Sequence, residues 1–273
     1  MNTRNFSRPA PAALLIILCA LLLGVLPSTV GTTAAAAALV PGQTALTPTQ
    51  TVVEFYKRLR QKHFREAFAL SIYKPAIEGL STEEFSDLQT DFERMAAAVP
   101  ENVQISGEQI SGDTATVFVK VNSDEAGAAQ QDDSVTLMRR SGAWIIGDKE
   151  NEAVVKRSGK DFFFTARIQT HHTEVQSMLQ RISVAQLIYS QQHNGLYGNL
   201  EALIAAGLVP KDLEATDSTG YRFHITLSSD AKSFTAGAEP ARYNRTGRLS
   251  FFLDKTGIRS ADTGGKPLNP QTR

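Results

Sequence analysis

The spacing of apolar residues changes period twice along this chain, and that alternation limits the fold more than any other feature. In residues 47–99 apolar side chains recur at helical spacing: Val52, Phe55, Tyr56 and Leu59, then Phe64, Ala67 and Phe68, then Phe85, Leu88, Phe92 and Met95. After Pro100 the period falls to two. Val103 and Ile105, Ala115 to Val121, and Val135 and Leu137 with Trp144 and Ile146 alternate with polar residues, as half-buried strands do. The helical period then returns through Phe164, Ile168, Val175, Leu179, Ile182, Ala185 and Tyr189, a helix predicted to run to Gln192 over roughly 45 Å. Three more period-two runs follow, around Phe223, Ala236 and Phe251. Helices and then an antiparallel sheet, twice over, give an α+β class with two modules. A chain of 273 residues has room for both.

The punctuation agrees with this division. Thr47-Pro48-Thr49-Gln50 reads as a capped helix start, and Ser81 with Glu84 as a capping box that Leu80 can staple to Phe85. Gly112-Asp113 and Ser141-Gly142 mark turns, and residues 130–133 a polar loop. Asn194-Gly195 ends the long helix, and a short helix over residues 200–205 stops at Gly207. The expected layout is a signal or anchor over residues 1–38, a tether over 39–46, modules over 47–150 and 161–260, a charged linker over 151–160, and a disordered tail over 261–273.

Residues 12–26 carry no charge and follow Arg4 and Arg8. The run fits a secretory h-region and is short of the about 20 apolar residues that span a membrane. It is read as a signal peptide or a retained anchor, placing the rest in the periplasm or on the outer face of the inner membrane. The single cysteine, Cys19, lies inside it, so the modules carry no disulfide. Lys plus Arg and Asp plus Glu are balanced at 28 each, which removes any general attraction to nucleic acid.

The opening TPTQTVVEFYKRLRQKHFREAFAL and the closing hairpin SVTLMRRSGAWIIGD resemble exported bacterial domains of the nuclear transport factor 2 and ketosteroid isomerase-like superfamily. The resemblance implies a curved sheet closed by helices around a cone-shaped pocket. In the second module, LQRISVAQLIYSQQHNGLYGNLEALIAAGLVP and the strands after it resemble the head of a type IV pilin, in particular the type II secretion major pseudopilin. It departs from a pilin at its start, where Gln169 does not supply the assembly glutamate and Phe162-Phe163-Phe164 is too short to anchor, so it reads as a pilin head reused as a soluble domain.

Reactive motifs are sparse. Ser71-x-x-Lys74 with Lys255-Thr256-Gly257 fits two elements of penicillin-recognising serine enzymes, but the S-x-N element is missing and Ser229-x-x-Lys232 fits the first equally well. The latter tripeptide is read as a turn. His171-His172 and His193 are read as a solvated helix surface, and His224 as a surface strand position. Asp91 and Glu78 are read as exposed carboxylates, Arg139-Arg140 as a solvated hairpin edge, and Trp144 as core. No catalytic residue, cofactor or metal is expected. The pocket, if the first module forms one, is expected at Tyr56, Phe68, Tyr73, Phe92 and Trp144. The expected activity is protein–protein contact with envelope proteins, including secretion or pilus components, without enzymatic chemistry. The alternative is binding of a small apolar ligand in the cone.

Overall fold

The computed structural model describes residues 45–99, 103–121 and 131–269. The expected signal or anchor, with Cys19, lies outside them, as does the end of the tail. The class is α+β. The chain divides between Phe163 and Phe164 into two compact units.

The first unit opens with α1 (Pro48–Arg60), which starts where the sequence says it should. Thr47 accepts the Gln50 amide, Gln50 bonds back to Thr47, and Pro48 occupies the first turn. Two short helices follow, α2 (Phe64–Phe68) and α3 (Lys74–Glu78), then α4 (Thr82–Ala97) with its Ser81–Glu84 capping box. Four strands make one antiparallel sheet in sequence order: β1 (Gln104–Ser111), β2 (Thr114–Val121), β3 (Gln131–Arg140) and β4 (Ala143–Ile146). Val117, Val119, Val135 and Leu137 turn one face of it into core. Of the polar loop expected over 130–133, residue 130 lies outside the described residues and Gln131 to Asp133 are instead the start of β3, paired with β2. Ladder bonds are made by the backbone, so polar side chains do not prevent them.

The charged stretch expected as a linker is a helix, α5 (Lys149–Ser158). Asp148 caps it, acidic residues fill its first turn, and Lys156 and Arg157 its last. One apolar contact suffices to seat it, since Val155 is fully buried. Glu152 pairs with Arg140 of β3 at 2.9 Å, and Lys160, in the following 3-10 turn, pairs with Glu84 at 3.0 Å.

The second unit is built on the long helix α6 (Phe162–Gln192), whose first two residues belong to the first unit. The turn after it contains Asn194 and Gly195, both at positive φ. Then come α7 (Leu200–Ala205), a 3-10 turn (Lys211–Glu214) and α8 (Thr216–Thr219). Its sheet has four strands where three were expected, in the order β5 (Tyr221–Leu227), β6 (Phe234–Pro240), β7 (Ser250–Asp254) and β8 (Gly257–Ala261), all antiparallel. Val175, Leu179, Ile182 and Ala185 of α6 pack with Tyr221, Ala236, Ala238, Phe251 and Leu253 in one core. Residues 261–269 are not a loose tail. Ala261 ends β8, Ser250 donates to the Lys266 carbonyl at 2.7 Å, and Leu268 is buried.

No helix among the described residues is long and apolar enough to cross a membrane.

Candidate functional sites

In the first unit the expected pocket residues fall into two groups. Phe68, Tyr73 and Phe92 are fully buried and share one aromatic cluster, with Phe68 at 5.5 Å from Phe92 and 6.1 Å from Tyr73. Phe162 and Phe163 enter that cluster. Phe163 stands 5.1 Å from both Phe68 and Phe92, and Phe162 stands 5.1 Å from Tyr73. Tyr56 and Trp144 lie outside it. Tyr56 is half-buried against Phe55, and Trp144 is half-buried on β4 with the Arg139 guanidinium 5.8 Å from its ring centre. By sequence alone Phe162 and Phe163 belong to the other module, because their helix continues into it.

The expectations for Asp91 and for Arg139-Arg140 need correction, whereas Glu78 is exposed. Asp91 is buried, with Arg94 one turn on at 3.8 Å, because it lies on the inner side of α4 next to Phe92. Arg140 is held by Glu152, so the Arg139-Arg140 pair is not a free edge. Ser71 is also buried, donating to the Phe68 carbonyl and accepting the Tyr73 amide. Its hydroxyl is engaged in local backbone bonds. Lys255-Thr256 form the turn between β7 and β8, with Gly257 opening β8 and Asp254 accepting the Thr256 amide at 2.7 Å.

In the second unit the adjacent histidines are not a solvated surface. His171 is buried and its Nδ1 lies 2.7 Å from the Thr246 carbonyl, where it donates. His172 Nε2 accepts the amides of Arg248 and Leu249, both at 3.2 Å. Burial, and then the neighbouring His171, push the His172 pKa down, as expected for a ring nitrogen already accepting two N–H groups. Tyr221 reaches the same segment, its hydroxyl donating to the Leu249 carbonyl at 2.9 Å, and burial pushes that hydroxyl up. Gly247 allows this, since a Cβ there would occupy the place of the phenol oxygen. Three side chains thus pin the β6–β7 connection. Their partners are distant in sequence, so no local pattern announces them.

A second set of side chains pins the end of α6. Gln186 is fully buried, donates to the Gly198 carbonyl at 2.6 Å and accepts the Gly198 amide at 3.0 Å. His193 stacks on Tyr189 with ring centres 3.8 Å apart. On the outer sheet face His224 lies across Gly237 and pairs with Glu239 at 3.3 Å, and Arg222 meets the same carboxylate at 3.3 Å. Burial raises the Glu239 pKa, but His224 and Arg222 more than offset it, leaving a carboxylate below its usual range.

Two surface features complete the second unit. On α6, Val184, Leu187 and Ile188 are exposed at 59%, 56% and 38%. Beside β5 lies a cleft of about 440 Å³ lined by Leu200, Leu213 and Phe223, with Glu201, Glu214 and Arg222 as its charged members.

Among known proteins, no family and no curated sequence matches this chain. A solved structure described as an NTF2-like transpeptidase from Campylobacter jejuni is similar at 19% identity, covering 38% of this chain and 100% of that one with a TM-score of 0.26. A likeness of that size carries no statement about activity.

Proposed function

We propose that the chain is a non-enzymatic exported envelope protein that works through protein–protein contacts, in association with type II secretion or pilus-like machinery. The observation that carries this reading is the apolar stripe on α6. Val184, Leu187 and Ile188 follow the i, i+3, i+4 spacing that places side chains on one side of a helix. Ile182 and Ala185 on the opposite side are already in the core. Three aliphatic side chains in water beside a satisfied core are better explained as a contact surface than as packing. The uncharged run at residues 12–26 supports export. The order of long helix, short helix and antiparallel sheet agrees with the pilin-like resemblance of residues 161–260.

The alternative, a small apolar ligand inside the first unit, has less support. Phe162 and Phe163 occupy the space among Phe68, Tyr73 and Phe92 that such a ligand needs.

The test is capture of the tagged full-length chain from detergent-solubilised native membranes, beside the double variant Val184→Ser, Leu187→Ser. Secretion or pilus components are expected with the unaltered chain and are expected to fall about tenfold or more with the variant, since two buried aliphatic side chains are lost from the contact. Recovery of the chain alone, or equal capture by both, overturns the reading.

A further inference from the structure

The edges of the two sheets are treated differently. In the first, β1 carries a register shift between Ile105 and Gly107, and β4 is bridged on its outer side by Ser71. A bulge and a covering segment are two ways by which sheets avoid pairing with other chains. In the second, β5 pairs with β6 in continuous register from Tyr221 to Leu227, with no bulge, proline or lysine. Among the described residues nothing pairs with its other side.

The hydrogen-bond phase of β5 follows from its ends. Ala241 donates to the Gly220 carbonyl and Ser228 to the Ser233 carbonyl. The even positions Arg222, His224 and Thr226 therefore bond to β6, and the odd positions direct N–H and C=O outward. Those of Tyr221 are taken by Thr219 Oγ1, which accepts its amide and donates to its carbonyl. Those of Phe223, Ile225 and Leu227 meet no partner among the described residues.

The cleft adjoins this edge at Phe223. Leu200, Leu213 and Phe223 give it an apolar floor. Glu201 and Glu214 are exposed and form no ion pair among the described residues. Arg222 does not neutralise them, because its guanidinium is bound to Glu239 and to the carbonyls of Pro240 and Ala241 at 3.1–3.3 Å. The site thus offers a strand edge, apolar ground and two uncompensated negative charges.

We propose that the β5 edge and this cleft bind an extended peptide segment carrying a lysine or arginine beside an apolar residue. The peptide backbone adds a strand through Phe223, Ile225 and Leu227, its apolar side chain covers the partly buried Leu200 and Phe223, and its basic side chain meets Glu201 and Glu214.

The full-length chain in mild detergent is titrated against fluorescent hexapeptide pools. One pool holds lysine or arginine next to valine, leucine or phenylalanine, a second replaces the basic residue by glutamate, and a third is the basic pool with alternate backbone nitrogens methylated. Saturable binding is expected for the first pool alone. The double variant Glu201→Gln, Glu214→Gln weakens it roughly two- to tenfold, as for exposed charge pairs. No saturation by the first pool, equal binding of the acidic or methylated pools, or an unchanged affinity in the double variant overturns the proposal. So does concentration-dependent dimerisation that the peptides cannot displace, which assigns the edge to a second copy. Val184→Ser and Leu187→Ser leave peptide binding unchanged, so this site and the α6 stripe stand or fall separately.

Discussion

The rings of Phe163 and Phe92 stand nearly perpendicular, at 86°, with their centres 5.1 Å apart. This edge-to-face geometry is favoured between aromatic rings. It ties the first residues of α6 to the core of the first unit. Replacing Phe163 by alanine opens a hole among the four rings that now surround it, Phe68, Tyr73, Phe92 and Phe162, and the expected cost is about 3–5 kcal/mol. Trp144 is the only tryptophan and lies in the first unit, so its fluorescence during urea unfolding reports that unit. The midpoint is expected to fall sharply; an unchanged midpoint places the ring outside the core.

Gln186 substitutes for a strand partner at Gly198. Gln186→Leu leaves a buried amide and carbonyl unpaired and is expected to cost about 1–3 kcal/mol. Gln186→Glu retains the acceptor and loses the donor. Hydrogen exchange at the Gly198 amide separates the two: fast in the leucine variant, still protected in the glutamate variant. Equal exchange in both contradicts the bonding.

His172 makes stability depend on pH. Its folded pKa lies below the ordinary 6.5, so the unfolded chain binds its proton more readily. The stabilisation is fully present above that value and is lost as pH falls through the lower folded pKa. In His172→Gln the fall in melting temperature on acidifying from neutral pH is expected to shrink. If the acid slope is identical in both proteins, His172 is not its source.

Tyr221 and Gly247 are expected to be coupled. Tyr221→Phe removes one hydrogen bond, at a cost of about 0.5–1.5 kcal/mol. Gly247→Ala alone costs more, because the new Cβ collides with the phenol oxygen and with two ring carbons, so removing the hydroxyl relieves only part of the clash. Combined with Tyr221→Phe, Gly247→Ala becomes milder than it is alone. Melting temperatures of the four proteins form the cycle, and strict additivity refutes the contact.

Helix starts were readable wherever the signal was local. Thr47 with Gln50, and Ser81 with Glu84, cap as their spacing suggests. The Gly112, Ser141 and Asn194 turns fall where the period breaks. What escaped depends on partners far along the chain. The charged composition of α5 hides a helix that one buried valine and the Glu152–Arg140 ion pair hold in place. His171 and His172 resembled a wet surface because their acceptor and donors lie about 75 residues away. Asp91 looks exposed in the sequence because its neighbours there do not disclose the packing around α4. In the expected pocket, Phe68, Tyr73 and Phe92 come together, but the two rings that fill the space between them belong by sequence to the helix of the other module.

The unit boundary between Phe163 and Phe164 bears on how such a chain can be recombined. Phe162 and Phe163 sit among the rings of the first unit, while Phe164 faces the guanidinium of Arg245 at 4.2 Å in the second. Consecutive residues of one helix therefore serve two cores. A gene exchange at residues 151–160 would give the first unit a helix start chosen for someone else's interior. Only donors that bring their own pair of rings would be accepted, so the second unit is inherited together with the stopper of the first.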